Sequence, residues 1–210
     1  MNLKIFLIGP SGVGKSTFFK QLQDQHPEWT FFQDESFQIN LNTYNVLDQN
    51  NQQLKVLNYL GQRDITPTKG TQVFDDSVLT ALLWSRSLLL TRQITFKVYR
   101  EHVEKVKQYL KKLPKKTIFI VINKPKELIK QNIHDRNRDI EVLENDFKKT
   151  YDMYQDLFIE GLDLIFEQMD DLNLTKTEIN LTENDSIQTL KSFNKILKDI
   201  EKDPKWQAKK

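Results

Sequence analysis

The sequence predicts a three-layer α/β domain in which helices cover both faces of a five-stranded parallel β-sheet. Five short apolar runs of strand length alternate along the chain with stretches of helical length, an order typical of parallel sheets. A glycine-rich segment at 9–14 joins the first predicted strand to the first predicted helix. The run TIFIVIN at 117–123 is the clearest strand in the chain.

Each of the five strands is predicted from a short apolar run. LKIFLIG leads into the glycine-rich segment, WTFFQD and TQVFD both end in an acidic residue, and TEINLT precedes the last helix. The predicted strands cover 3–9, 29–34, 71–75, 117–123 and 177–182.

The helices are predicted from apolar spacing and length. SVLTALLWSRSLLLTR is strongly apolar and of helical length, and TFKVYREHVEKVKQYLKKL is amphipathic. The stripe formed by Tyr99, Val103, Val106 and Leu110 predicts a packing face, either in the core or in a homodimer interface. The predicted helices cover 15–25, about 53–62, 77–92, 95–113, a segment from about 125 into 132–141, about 141–169, and 185–202.

Length, composition and charge limit which domain organisation and which class of protein are possible. With 210 residues, the chain is expected to form a single domain at 1–202, with a short lid at about 132–141 and a tail at 203–210. The absence of cysteine excludes disulfides and thiolate metal sites. The net charge of +2 implies no nucleic-acid-binding surface. We expect a cytoplasmic protein without a signal peptide or membrane span.

The segment GPSGVGKST at 9–17 carries the phosphate-loop pattern G-x-x-x-x-G-K-[ST] between a strand and a helix. Its amides and the helix N-terminus would hold the phosphates of ATP, and Lys15 would reach the β- and γ-phosphates. Ser16 would offer its hydroxyl to Mg²⁺, and Asp75 at the end of the third strand would hold a water on that ion. The predicted ATP-binding residues are Gly9, Ser11, Gly12, Val13, Gly14, Lys15, Ser16 and Thr17.

The loop does not identify the group that receives the phosphoryl. A guanine-specific motif would need an Asp after Asn123-Lys124, where the sequence has Pro125 and Lys126, so a GTPase is disfavoured. The sequence of the loop is close to that of guanylate kinases, but this chain lacks their Thr-Thr-Arg segment after the second strand.

The segment NIHDRNRDIE at 132–141 allows two interpretations. On a regular helix Arg138 and Glu141 share a face, which is typical of a solvated helix with a routine ion pair. Arg136 and Arg138 would point about 200° apart, so two phosphate-binding arginines would require a break in the helix. Close to a phosphate loop, guanidinium groups in a closing lid stabilise a transferring phosphoryl group.

These motifs together resemble the deoxynucleoside kinase family, the relatives of thymidylate kinase. The family's lid reads roughly R-I-x-x-R-x-R-x-x-E, and this chain has Asn132-Ile133, Arg136, Arg138 and Glu141 at that spacing. IFIVINKPKELIKQ resembles the strand and helix that precede that lid. FFQDES offers Asp34 and Glu35 where the family has its catalytic Glu, and FDDSVL matches Glu/Asp-Arg-Ser at Asp75 and Ser77.

The sequence also departs from the family pattern in the acceptor site. Asp76 stands in the place of the Arg that helps to hold the acceptor, Ser36 replaces a Pro, and Ala81 falls where an Asp often reads the base. No Gln is found at the family's base-reading position. Arg63 and Arg86 are candidates for the missing cation, although we expect both on the surface. Trp84, on an apolar helix, is expected in the core.

The resemblance and the residues together predict an ATP- and Mg²⁺-dependent kinase that phosphorylates a nucleoside, with a deoxynucleoside as the leading acceptor. Glu35, at the carboxyl end of a parallel strand, is the predicted general base, with Asp34 as its competitor. Lys15, Arg136 and Arg138 would stabilise the transferring phosphoryl group. A nucleoside monophosphate kinase and a non-catalytic nucleotide-binding protein are the alternatives.

Overall fold

The computed structural model describes residues 3–36, 48–67, 69–135, 145–160, 162–182 and 186–203. Its sheet has five strands in the order β2-β3-β1-β4-β5, and every pairing is parallel. The predicted fold class is therefore confirmed. The strands are β1 (Leu3–Ile8), β2 (Thr30–Phe32), β3 (Thr71–Asp75), β4 (Thr117–Asn123) and β5 (Thr175–Asn180).

Eight α-helices are described, with a 3₁₀ turn at Asp170–Leu172 between α7 and β5. The helices are α1 (Lys15–Gln25), α2 (Gln49–Ile65), α3 (Val78–Leu90), α4 (Phe96–Leu110), α5 (Lys126–Asp135), α6 (Asn145–Glu160), α7 (Leu162–Glu167) and α8 (Ser186–Lys202). None of these described helices is long and apolar enough to cross a membrane.

Two predicted boundaries were wrong. Within the helix predicted at about 141–169, the described residues 145–160 and 162–167 are helical. Helix α2 is longer than predicted because Asp48 caps it, accepting a hydrogen bond from the Asn51 backbone N–H. Strand β5 ends two residues before the predicted end, where its pairing with β4 ends at Asn123 and Asn180.

Two apolar layers hold the sheet between the helices. On one face Phe6 stacks between Phe74 and Phe119, with ring centroids 4.6 and 5.0 Å apart. Residues of α2, α3, α4, α6 and α7 pack against this face. On the other face β1 contributes Leu3, Ile5 and Leu7, and helices α1 and α8 cover them. The alternation of faces along β1 is that of a strand buried on both sides.

The amphipathic helix α4 packs into the first of these layers. Tyr99, Val106 and Leu110 are buried, and Val103 lies partly buried against the same cluster. The predicted packing face is thus a core face. Because all five strands are parallel, their carboxyl ends meet at one edge of the sheet. That edge brings together the loop after β1, Asp34 and Glu35 after β2, and Asp75 at the end of β3.

Candidate nucleotide-binding site

The loop after β1 has the backbone geometry that a phosphate cradle requires. Gly12 and Gly14 have φ angles of 85° and 103°, in the left-handed region that side chains rarely adopt. A Cβ at Gly9 would lie 2.9 Å from the carbonyl oxygen of Ile122, so that position needs glycine for close packing. Helix α1 begins at Lys15, which places its N-terminal amides beside the loop.

Two side chains from other helices hold the loop. The Ser11 backbone N–H donates to Oε1 of Gln155 on α6, at 3.2 Å. Nδ2 of Asn132 on α5 donates to the carbonyl of Gly12, at 2.7 Å. Asn132 stands where the family lid has its first Arg, so here that position contacts the loop backbone. Sequence reasoning gave Gln155 no role, because a Gln within a helix carries no motif.

Lys15 lies between two carboxylates. Its Nζ is 3.6 Å from Oδ1 of Asp75 and 3.6 Å from Oδ2 of Asp76. Burial alone would lower the pKa of Lys15, but the charges of Asp75, Asp76 and Asp34 together raise it above its ordinary value. The amine therefore stays charged, as a phosphate-binding lysine must.

Asp76 is buried in a strained conformation. Its φ angle is 70°, outside the region that most residues adopt. Its Oδ1 accepts hydrogen bonds from the Ser77 backbone N–H at 3.1 Å and from the Thr80 hydroxyl. Burial, with the charges of Asp34 and Asp75, raises the pKa of Asp76 to about 6 against the pull of Lys15. Ser77 caps helix α3, which gives this position a structural role.

Asp34 and Glu35 lie side by side after β2 but differ in surroundings. Asp34 is partly buried and accepts hydrogen bonds from the backbone N–H and hydroxyl of Ser36, at 2.8 and 3.0 Å. Its charge acts on the pKa values of Lys15 and Asp76. Glu35 is exposed, and its charge acts on the pKa of Tyr59.

The expectation that Arg63 lies on the surface was wrong. Arg63 is only 9% exposed, and its guanidinium donates to carbonyl oxygens at the ends of β2 and β3. The adjacent carboxylate of Asp64 pairs with it at 2.9 Å and compensates its charge. Arg86 is half-buried, and its charge opposes the rise in the pKa of Tyr99 that burial causes.

A cavity of about 560 Å³ adjoins the loop, within the size range of small-molecule sites. Its lining combines the loop and the carboxylates with aromatic and apolar side chains. Trp84, expected in the core, is 5% exposed but also lines the cavity, with its ring edge-on to Tyr154 at 5.6 Å. The lining residues are Gly9, Pro10, Ser11, Gly12, Lys15, Ser16, Gln33, Asp34, Glu35, Ser36, Val56, Leu60, Asp75, Asp76, Thr80, Ala81, Trp84, Tyr151 and Tyr154.

Two glutamines on α2 were given no role by the sequence. Gln52 and Gln53 are both completely buried. Nε2 of Gln53 donates to the carbonyl of Ala81 at 2.7 Å and to Oγ of Ser85 at 2.9 Å. Ala81 lines the cavity, so Gln53 lies directly behind its wall. The signal available in sequence was only the Asn/Gln richness of this stretch.

Of the predicted site residues, the structure brings Lys15, Ser16, Glu35 and Asp75 to one cavity, together with Gly9, Ser11 and Gly12. Val13 is buried, and Thr17 follows Ser16 in the first turn of α1. Arg136 and Arg138 lie outside the described residues.

No protein-family model and no curated protein sequence matches this chain. Solved structures do match. A deoxyadenosine kinase from M. mycoides, with products dCMP and a flexible dCDP bound, has a TM-score of 0.69 at 15% identity, covering 94% of this chain and 100% of its own. The same kinase with dATP bound gives 0.66 at 15% identity, covering 93% and 100%. YorR from Bacillus subtilis, in complex with phosphorylated GDP, gives 0.52 at 18% identity, covering 93% and 95%. The chain therefore has a deoxynucleoside kinase-like phosphate-loop fold.

Proposed function

We propose that this protein is a kinase that transfers the γ-phosphoryl group of ATP to a hydroxyl of a nucleoside, with a deoxynucleoside as the leading acceptor. The observation that carries the proposal is the single cavity in which the phosphate loop, the carboxylates after β2 and β3, and the aromatic side chains of Trp84, Tyr151 and Tyr154 meet. Phosphoryl transfer needs a triphosphate cradle, a proton acceptor and a pocket for the acceptor molecule within one enclosure.

The residues around the loop fit ATP and Mg²⁺. Positive φ angles at Gly12 and Gly14 turn the loop, and α1 directs its N-terminal amides toward the expected phosphates. Oδ1 of Asp75 is buried and has no hydrogen-bond partner in the described part of the chain. Ser16 and Asp75 would hold Mg²⁺, directly or through water. When bound, that ion would neutralise charge on the phosphates.

A carboxylate after β2 would take the proton from the acceptor hydroxyl as its oxygen forms the new bond to phosphorus. Glu35 is the base that the resemblance implies. Asp34 is a second candidate, favoured by its partial burial and by its electrostatic influence on Lys15. The bond from the γ-phosphorus to the bridging oxygen breaks, and ADP leaves with Lys15 beside its phosphates. Arg136 and Arg138, by their place in the lid pattern, would stabilise charge on the moving group.

The charges around the cavity favour a nucleoside over a nucleoside monophosphate. Among the described lining residues, four carboxylates face one ammonium group, that of Lys15. A phosphate on the acceptor would meet repulsion from Asp34, Glu35 and Asp76. An uncharged acceptor avoids this cost, and its hydroxyls can donate hydrogen bonds to the same carboxylates.

The aromatic side chains that line the cavity would supply the other part of the acceptor site. Trp84 and Tyr154 pack edge to face, and Tyr151 and Tyr154 have ring centroids 6.4 Å apart. Such surfaces offer a nucleobase flat apolar contact. The alternative that the chain binds nucleotide without catalysis would leave this part of the cavity without a substrate.

The test is a panel of nucleosides and nucleoside monophosphates incubated with ATP and Mg²⁺ and scored by ADP release. We expect release with at least one nucleoside above the acceptor-free rate, and none with Lys15→Ala. Release with monophosphates alone would favour the monophosphate kinase. ATP binding without acceptor-dependent release would favour the non-catalytic protein.

A further inference from the structure

The hydrogen bonds between β2 and β3 do not fix the position of Asp34 relative to Asp75 and Asp76. Strand β2 has three residues, lies at the edge of the sheet, and pairs only with β3. Its register with β3 ends at Phe32 and Phe74. Asp34 therefore follows the last paired residue, and another contact must fix its distance from Asp75 and Asp76.

Arg63 on α2 makes that contact. Its Nη1 donates to the carbonyl of Gln33 at 3.3 Å and to the carbonyl of Asp75 at 3.2 Å. Its Nη2 donates to the carbonyl of Asp76 at 2.8 Å. One planar group thus joins the backbone just before Asp34 to the backbone of Asp75, at the end of β3, and of Asp76, which follows it.

The remaining donors of Arg63 hold it in place. Nε and Nη2 donate to Oδ1 of Asp64, at 3.1 and 2.9 Å. All five guanidinium N–H groups are therefore used. Asp64 is itself fixed, since its Oδ2 accepts from the backbone N–H of Val78 at 2.7 Å, at the start of α3. Lysine has three donors at a single point and cannot reproduce this arrangement.

The strained backbone of Asp76 depends on this contact. A residue other than glycine at φ 70° is strained and persists only where its surroundings hold it. The Arg63 bond to the Asp76 carbonyl is one such restraint, and the Asp76 N–H bond to the Leu7 carbonyl, at 3.0 Å, is another. Together they aim the Asp76 carboxylate at Lys15.

The guanidinium of Arg63 stays charged although it is buried. Burial lowers the pKa of Arg63, but the charges of Asp64, Asp34 and Asp76 raise it above its ordinary value.

We infer that Arg63 is a positioning residue for the phosphoryl transfer, setting the spacing between the carboxylates after β2 and those at the end of β3. The inference rests on the proposed function for its kinetic consequence. Arg63 touches neither nucleotide nor acceptor in this role, because it is buried and its donors are already used.

Two substitutions separate geometry from charge. Arg63→Lys keeps the charge and loses the planar contact, whereas Arg63→Met loses both. The matched control is Leu57→Ala, a fully buried core residue on the same helix, which destabilises the fold without touching the strand ends. All are assayed well below the lowest Tm of the set.

We expect Arg63→Met to lower kcat about 100-fold with the KM for ATP changed less than about threefold, as for a misplaced catalytic group. Arg63→Lys should recover part of this loss, and Leu57→Ala should retain the wild-type kcat. If Arg63→Met loses thermal stability but keeps the wild-type kcat, the inference is overturned. If Arg63→Met does not fold, a wild-type kcat in Arg63→Lys does the same.

A second readout does not need turnover, so it survives failure of the proposed function. NMR of ¹³C,¹⁵N-labelled protein compares the backbone Cα and carbonyl shifts of Asp34 and Asp76, which report the backbone conformation that Arg63 would hold. We expect both sets of shifts to differ from wild type in Arg63→Met and to stay near the wild-type values in Leu57→Ala. Wild-type shifts at both residues in Arg63→Met contradict the inference. A wild type that is inactive toward every acceptor contradicts the proposed function instead.

Discussion

Nζ of Lys15 lies 3.6 Å from Oδ2 of Asp76, a buried carboxylate whose backbone has a φ angle of 70°. This contact places the amine of Lys15 beside an acidic side chain. At the position of Asp76, the deoxynucleoside kinase family that the sequence resembles has an Arg. Asp76 and the phosphates of a nucleotide would therefore compete for the same ammonium group. In the proposed function, this contact would link the phosphate-donor site to the acceptor site.

Replacing the loop lysine tests the donor site. Lys15→Ala should abolish ATP binding or turnover, because it removes the cation expected at the β- and γ-phosphates. The fold should survive, since Lys15 lines the cavity and its amine pairs with two carboxylates at 3.6 Å. Titration calorimetry with ATP and thermal unfolding measure the two effects. Wild-type ATP affinity and turnover in the variant would remove the basis for the phosphate-loop assignment.

The general base is identified by a pair of neutral substitutions. If Glu35 takes the proton, Glu35→Gln should lower kcat by about two to four orders of magnitude with little change in ATP affinity. Asp34→Asn is the matched variant, because Asp34 lies next to it and lines the same cavity. The variant with the larger loss of kcat identifies the general base. Loss of less than about tenfold in both would rule out general-base catalysis from this segment.

The lid arginines are tested by kinetics. Arg136→Ala and Arg138→Ala should each lower kcat and kcat/KM together, with nucleoside affinity nearly unchanged, because their contacts would form only in the transition state. The loss should be roughly 3–5 kcal/mol, judged from arginine fingers. Arg→Lys should rescue only in part. Normal turnover with reduced thermal stability would instead assign them to a surface ion pair.

The acidity of Asp76 predicts how stability depends on pH. Its pKa is raised from 3.8 to about 6, chiefly by burial, and the pKa of Asp64 is raised to about 6 for the same reason. A carboxyl group whose pKa is higher in the folded state binds its proton more tightly there than in the unfolded state. Its contribution to the free energy of unfolding therefore falls as pH rises from about 4 to about 6. A tenfold difference in proton affinity between the folded and unfolded states corresponds to about 1.4 kcal/mol of stability.

Asp76→Asn should therefore raise Tm at pH 7.5 relative to wild type and show a weaker fall in stability between pH 4.5 and 7.5. The control is Asp171→Asn, a surface residue paired with Lys107, which should change Tm little. Thermal unfolding of the three proteins at pH 4.5 and 7.5 tests this prediction. An Asp76→Asn curve parallel to that of wild type would show that Asp76 does not titrate in this range.

The phosphate-loop motif and the succession of strands and helices along the chain could be predicted from the sequence because they are local signals. The G-x-x-x-x-G-K-[ST] pattern placed Lys15 and Ser16, and the acidic ends of two apolar runs placed Asp34, Glu35 and Asp75 at one edge of the sheet. Parallel pairing alone brings such residues together.

The supporting contacts could not be predicted, because they depend on packing between distant segments. Arg63 appeared in sequence as one charge in a polar stretch, and its burial depends on a match to three carbonyls and Asp64. Gln155 reaches Ser11 across 144 positions of the chain. Neither contact produces a periodic pattern or a motif in the sequence.

The central claim is that a phosphoryl group moves from ATP to a nucleoside hydroxyl, and the most direct measurement is product identification by ³¹P NMR and mass spectrometry. Each nucleoside is incubated with ATP, Mg²⁺ and either the wild type or Lys15→Ala. We predict that the wild type forms ADP and a nucleoside monophosphate in equal amounts, and that Lys15→Ala forms neither. Formation of ADP with inorganic phosphate and no phosphorylated nucleoside, for every nucleoside tested, would contradict the account.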